Sequence, residues 1–411
     1  MRIVIVGNGP AALSAVEAIR EKDGACDISI LSPEVERAYT PCFLAKYVAG
    51  EIGTGELALK CDDFYERHHL ELLTGRAVTA VVPEEDAVVL EDGSKVHYDR
   101  LLLACGADPV MPDTPDLSGE GVFAFRSFGD AARIRAEAER VRDIVILGSG
   151  FIAMEIAEAL AETGASVSVV ARRDRILRRL FDAEVAGMVE DHMSRNGVRF
   201  VKRRDLVGVE RAGETGEIRA VVLSDGERLP CDMLVVAVGM QPNVGIVAGT
   251  SVAADRGILT DAAMRTSVPN IYAAGDVAEA EIDGLRKTNL IHPHAAVTGR
   301  VAGYNMVGVE QRMSAHLADM NVLTVFGRSF LSAGSLGGEN ILRRAVGSDG
   351  LVKVFADEEG LITGVQLVGD VTRGGLYTSL IARRMSIDAV PGLLAATFNY
   401  GQTLGQTVRV S

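Results

Sequence analysis

The sequence predicts an α/β fold: two doubly wound parallel sheets followed by a small C-terminal α+β domain. Three observations carry this expectation. Residues 1–12 read MRIVIVGNGPAA and residues 142–153 read RDIVILGSGFIA, so a charged residue, a β-branched and aliphatic run, a glycine turn and an Ala- and Glu-rich stretch occur twice in one order. That order is strand, phosphate loop, helix. Residues 87–109 and 227–243 repeat a second pattern, an arm feeding a buried strand that ends at Gly106 in one case and Gly239 in the other, so the duplication covers whole domains. From about Met320 the texture changes to short alternating strands, such as GLVKVFAD and GLITGVQLVG, and then to helical GLYTSLIARRMS. This marks a separate α+β domain of about 90 residues.

The two glycine loops have a physical reading residue by residue. Gly7 and Gly148 make the tight exit from the strand, and Gly9 and Gly150 let a pyrophosphate approach the backbone. Ala12 and Ala153 occupy the third position, where a small side chain lets the helix lie close on the sheet. The first helical residues, Pro10 and Ala11 in one loop and Phe151 and Ile152 in the other, line a helix end that offers unpaired N–H groups and a positive dipole. Each loop is therefore a candidate dinucleotide site, and the folds are Rossmann-like.

Composition bounds the function. At roughly 100–200 residues per domain, 411 residues make two to four domains. Lys plus Arg number 42 against 56 Asp plus Glu, and the net charge of −14 argues against nonspecific nucleic-acid or anionic-membrane binding. The apolar run from Ile3 is consumed by the first strand, and no apolar stretch approaches the ~20 residues that span a bilayer, so a soluble cytoplasmic protein is expected. Cysteines at 26, 42, 61, 105 and 231 show neither CxxC nor metal-ligand spacing. A bound metal, an iron–sulfur cluster of its own or a paired redox disulfide is not expected.

In chain order, a helix runs from the first loop to about Glu21, and DISILS at residues 27–32 is the second parallel strand. Where an acid usually grips a ribose stands Ser32, with Glu34 two residues on as the candidate. AYTPCFLAKYVAGE, residues 38–51, carries Pro41, Cys42 and Lys46 on a turn and short helix that should lie over the first nucleotide. TSVPNIYAAGDVA, residues 266–278, is a short buried strand ending at Gly275 and Asp276, and HPHAAVTGRVAGYNM, residues 292–306, is a helix with small residues on one face.

These segments in this order resemble the two-dinucleotide-binding-domain flavoproteins of the pyridine nucleotide-disulfide oxidoreductase superfamily, over essentially the whole chain. The resemblance implies FAD on the first loop and NAD(P)H on the second. It divides the chain into FAD-binding parts at 1–113 and 241–319, an NAD(P)-binding domain at 114–240 and an interface domain at 320–411. It implies that the strand end at Ala104, Cys105 and Gly106 passes the FAD, and that Ala237, Gly239, Pro242 and Asn243 return the chain to the FAD domain. By the same resemblance Asp276 meets the flavin ribityl chain beside Gly275, and the helix end near His294 and Ala295 points at the flavin pyrimidine edge. A carboxylate suits ribityl hydroxyls, and a helix N-terminus suits charge that builds on reduction. His292 and His294 read equally as capping or packing residues. Lys46 and Glu155 resemble the family's lysine–glutamate pair at the site of hydride arrival.

Two questions stay open at this point. The strand SVSVVA ends in Ala171 followed by Arg172 and Arg173, without the acid that would accept from an NADH ribose hydroxyl; two guanidiniums suit a 2′-phosphate, so the sequence leans to NADPH. The electron outlet is the other. A missing CxxxxC pair excludes the glutathione-reductase type. Cys42 falls where single-cysteine CoA-disulfide reductases, NADH oxidases and peroxidases carry theirs, yet Pro10 replaces their loop histidine and Pro41 and Phe43 flank the thiol. The loop, the YTPCFLAKYVAGE stretch and the compact C-terminal domain resemble NAD(P)H:acceptor reductases that serve ferredoxin, rubredoxin or nitrite reductase, and flavin subunits of 2-oxoacid and aldehyde oxidoreductases. An iron–sulfur or other redox partner is therefore expected, with Arg178 and Arg179, residues 202–204, and Arg383 and Arg384 as candidate docking charges. A redox sensor or interaction protein is a third reading, and the oligomeric state is left open by the sequence.

Overall fold

A computed structural model describes residues 1–213, 216–282, 284–314, 319–338 and 340–395. The chain divides into two units, and the first comprises Met1–Val110, Arg126–Phe128 and Met240–Ala315. Its centre is a parallel sheet in the order Ile271–Ala273, Arg100–Leu103, Arg2–Val6, Asp27–Ser32, Leu70–Thr74. The Arg2–Val6 strand is buried from Ile3 onward, as a strand covered on both faces must be. The chain winds outward on one side of it and returns on the other, so the first glycine loop leaves the sheet at its topological switch point.

Two helices, Pro10–Arg20 and His292–Met306, lie against each other in this unit, and glycines make the contact. A Cβ on Gly299 would sit 2.1 Å from the Ala11 carbonyl oxygen, and one on Gly303 would sit 2.5 Å from that of Ala15. The small face read in residues 292–306 is thus the face on which the loop-following helix rests. The arm at Ala87–Leu90 and Lys95–His97 forms its own antiparallel sheet with Val78–Val82 before the chain rejoins the parallel sheet at Arg100.

The second unit comprises Met111–Phe125, Gly129–Gly239 and His316–Ser411. Its parallel sheet runs Arg199–Lys202, Ser166–Ala171, Asp143–Leu147, Met233–Val236, Val122–Ala124, and the second glycine loop again leaves from the switch point. Beside it a five-stranded antiparallel sheet, Met320–Val325, Arg328–Gly334, Ile362–Val368, Gly350–Ala356 and Asn340–Val346, carries the helix Gly374–Ala382. Tyr377 of that helix is fully buried and donates its hydroxyl to Leu393 O at 2.8 Å. The antiparallel sheet is tied to the helix Ala183–Arg195. Lys353, 7% exposed, is paired with that helix's N-cap Asp182 and with Glu184, and His192 Nε2 lies 3.1 Å from Val325 O. Among the described residues no helix is long and apolar enough to cross a membrane, and no cluster of His, Cys, Asp and Glu could hold a metal.

Candidate functional site

The two glycine loops share one construction. Gly7 has φ +111° and a Cβ there would lie 2.2 Å from Ala104 O; Gly148 has φ +140° and a Cβ there would lie 2.2 Å from Ala237 O. Each strand exit is therefore locked against the end of the neighbouring strand, and only glycine passes. A Cβ at Gly9 or Gly150 would meet nothing within 4 Å, so the space over both loops is open. Both glycines are N-caps without a side-chain cap, which leaves the first-turn amides of Ala11, Ala12, Phe151, Ile152 and Ala153 outside the intrahelical ladder. Pro10 at the first helical position has no N–H to lose. Regular pairing stops at Leu103 and Val236, ahead of Gly106 (φ +70°) and Gly239 (φ +140°).

In the first unit, Asp276, Gly275, Ala295 and His292 gather beside the first loop. The Gly275 Cα points its missing Cβ at Ala11 Cβ, 3.0 Å away, and at Ala295 Cβ, 3.6 Å away. Thr298 Oγ1 holds this approach: it accepts from Gly275 N at 3.0 Å while donating back toward His294 O or Ala295 O. Asp276 lies 3.9 Å from Arg126 Nη2, and burial raises its carboxyl pKa against the opposing pull of Arg126 and His292. Burial also lowers the His292 pKa, which favours its neutral form, with Asp276 opposing the shift. His294 is half-buried on the first turn of its helix.

Glu34 is engaged by Tyr39, which no local motif marks. Tyr39 donates to Glu34 Oε2 at 2.6 Å and accepts from Phe128 N at 3.0 Å; burial, then the Glu34 carboxylate, raises the Tyr39 pKa. Pro41, Cys42 and Phe43 form a single 3₁₀ turn with an exposed Cys42 thiol. Lys46 follows on the helix Leu44–Ala49, with Nζ 3.9 Å from Glu51 Oε2 in an exposed pair. Glu155 is half-buried on the helix Phe151–Ala161.

In the second unit, Arg172 and Arg173 are exposed just past the strand Ser166–Ala171. Arg172 Nε lies 3.9 Å from Asp205 Oδ1, and the loop beyond folds back so that Leu177 N donates to Ser149 O of the glycine loop at 2.8 Å. The nearby basic residues differ: Lys202 is bound to Glu190 at 2.6 Å and Arg204 to Asp225, so neither presents an uncompensated charge.

Three residues at the first loop had no local signature. Arg126, between a strand and an acidic helix start, donates Nε to Ala107 O at 3.0 Å and sits under Gly106, where a Cβ would meet Nη2 at 3.2 Å. Thr298 and Asn8 read only as polar residues in a helix and a loop; their partners lie 23 and 57 residues away.

The arrangement fits a dinucleotide. Around the first loop Asn8 Nδ2 and His292 Nδ1 are buried with no hydrogen-bond partner among the described residues, and the Asp276 carboxyl is desolvated. Buried polar groups are normally satisfied, and a polar ligand at the loop would satisfy these. Residues 1–299 match the pyridine nucleotide-disulphide oxidoreductase family. The chain is 30% identical over 392 residues to the NADH-dependent phenylglyoxylate dehydrogenase subunit epsilon of Aromatoleum evansii, spanning 94% of this chain and 92% of that one. It is 26% identical over 401 residues to the NADH-rubredoxin oxidoreductase of Clostridium acetobutylicum, spanning 97% and 99%. A ferredoxin reductase from Rhodopseudomonas palustris superposes with a TM-score of 0.88 at 24% identity, over 94% and 95% of the two chains, and shares the fold. The chain thus belongs to the pyridine nucleotide-disulphide oxidoreductase family, as an NAD(P)H-dependent flavoprotein oxidoreductase that uses FAD and a nicotinamide cofactor.

Proposed function

We propose that this chain is an NAD(P)H:acceptor oxidoreductase that exchanges electrons between a nicotinamide cofactor and an iron–sulfur protein or subunit, in either direction. The observation that carries it is similarity from end to end: the chain aligns over nine-tenths of a dehydrogenase's epsilon subunit and nearly all of a rubredoxin oxidoreductase. FAD bound at the first loop would supply the conversion of a two-electron hydride donor into single electrons. The protein's part is to bind and orient. Gly7, Gly9 and the amides of Ala11 and Ala12 receive the pyrophosphate, Asp276 and Arg126 fix the ribityl segment, and the helix end at His294 and Ala295 stabilises negative charge at the ring. Lys46 and Glu155, each in its own unit, would serve to orient the reacting rings, and Gly148 and Gly150 would hold the second nucleotide. In this reading residues 1–113 and 241–319 serve FAD, 114–240 NAD(P) and 320–411 the acceptor.

Arg172 and Arg173 favour NADPH. Both are exposed past a strand that ends in alanine, and a 3.9 Å contact to Asp205 is easily exchanged for a 2′-phosphate.

The exposed Cys42 thiol supports a second reading, in which that sulfur attacks a disulfide or peroxide. Cys42→Ser separates the two. Under the proposal, reduction of ferredoxin or a one-electron dye by NADPH stays within about twofold of wild type; loss of turnover to near zero would assign the chemistry to the thiol.

A further inference from the structure

We infer that Asn8 is a side-chain ligand of the dinucleotide in the first loop, aimed there by Tyr65, and is more than a spacer between glycines. The inference rests on the FAD reading above. Asn8 lies between Gly7 and Gly9, where any residue that avoids the backbone's path would serve a loop that binds through amides alone. Its side chain is instead tied down. Ala38 N donates to Tyr65 Oη at 3.1 Å, and Tyr65 Oη donates to Asn8 Oδ1 at 2.9 Å. Tyr65 is 6% exposed and Ala38 7%, and both belong to the core cluster under the first sheet, so the relay is anchored in packed structure.

This relay fixes which end of the amide faces which way. With the Ala38 N–H pointing at it, the tyrosine oxygen is free to give its own proton to Asn8 Oδ1, which leaves the amide nitrogen as the end of the side chain that the relay does not engage. Asn8 Nδ2 is buried and has no partner among the described residues, although an amide offers two N–H donors. A donor in the phosphate loop with no partner among those residues is suited to an acceptor oxygen of a bound ligand. The pyrophosphate is the acceptor-rich group such a loop receives.

The test is FAD titration of apoprotein followed by flavin fluorescence, together with apoprotein melting, on wild type, Asn8→Ala, Asn8→Asp and Tyr65→Phe. Asn8→Asp keeps the acceptor for Tyr65 and replaces the donor with a negative charge. The expected result is an FAD Kd loosened about tenfold in Asn8→Ala and further in Asn8→Asp, while Asn8→Ala and Tyr65→Phe, which both break the Tyr65–Asn8 bond, shift apoprotein melting alike. Tyr65→Phe should loosen FAD less than Asn8→Asp. If Asn8→Asp binds FAD as wild type does, or if Asn8→Ala loses apoprotein stability without losing affinity, Asn8 is structural and the inference falls. Wild-type protein that binds no FAD would overturn the reading beneath it instead.

Discussion

The packing of the helix His292–Met306 on the helix Pro10–Arg20 makes a sharp demand on Gly299. A Cβ at Gly299 would lie 2.1 Å from Ala11 O and 2.8 Å from both Ala11 C and Cα, all backbone atoms. Ordinary contact begins at 3.4 Å, so one helix must retreat by more than 1 Å. No rotamer relieves this clash, because the obstacle is the first turn of the helix that caps the phosphate loop. Overpacking costs about 1–3 kcal/mol where side chains can adjust, and a backbone obstacle places Gly299→Ala at about 3 kcal/mol. For a unit of this size that lowers the melting temperature by about 6–12 °C. Moving Ala11 off the loop should also loosen FAD by about tenfold or more. Gly187→Ala is the matched control: it sits in the helix Ala183–Arg195 with nothing within 4 Å of a new Cβ, so the same chemical change should stabilise by about 0.5–1 kcal/mol through helix propensity. Differential scanning fluorimetry with and without FAD reads both variants. Equal melting of Gly299→Ala and wild type, or shifts of the same sign for both substitutions, would refute the packing argument.

Asp276→Asn should separate stability from binding. A carboxyl whose folded-state pKa is raised gives its full stability below its ordinary value of 3.8 and loses it as pH rises through the folded value, so the apoprotein carries an unfavourable charge at pH 7. The variant apoprotein should melt higher than wild type at pH 7 and depend less on pH above 4, while binding FAD at least about tenfold more weakly, as loss of a charge-assisted hydrogen bond requires; a lower apoprotein melting point would contradict the burial of that charge. Arg172→Ala combined with Arg173→Ala should raise the NADPH KM by about tenfold or more and the NADH KM by less than about threefold, measured in parallel steady-state assays. Equal effects on both nucleotides would remove the phosphate argument.

Local chemistry made much of this molecule legible from sequence. The strands Arg2–Val6 and Asp143–Leu147 announce themselves as β-branched runs stopped by glycine, and the helix His292–Met306 has the bounds its sequence suggested. Gly7 and Gly148 were readable because a positive φ against a neighbouring carbonyl leaves one residue type. What sequence did not carry is the set of side-chain contacts closed over long spans. Tyr39 on Glu34, Tyr65 on Asn8 and Arg126 under Gly106 each depend on where a distant segment crosses the sheet, which no local period encodes. The same holds for Lys202 and Arg204: a basic run in sequence, but two neutralised cations once Glu190 and Asp225 fold beside them.

In the proposed reaction, two nucleotides on this one chain share an electron pair. Anaerobic titration of the FAD-reconstituted protein with NADPH tests it directly in a visible spectrum. The yellow flavin absorbance should bleach with one equivalent and return when an oxidised iron–sulfur protein is added. Absorbance that persists under excess NADPH and NADH would contradict the claim, and bleaching that no one-electron acceptor reverses would contradict the proposed outlet.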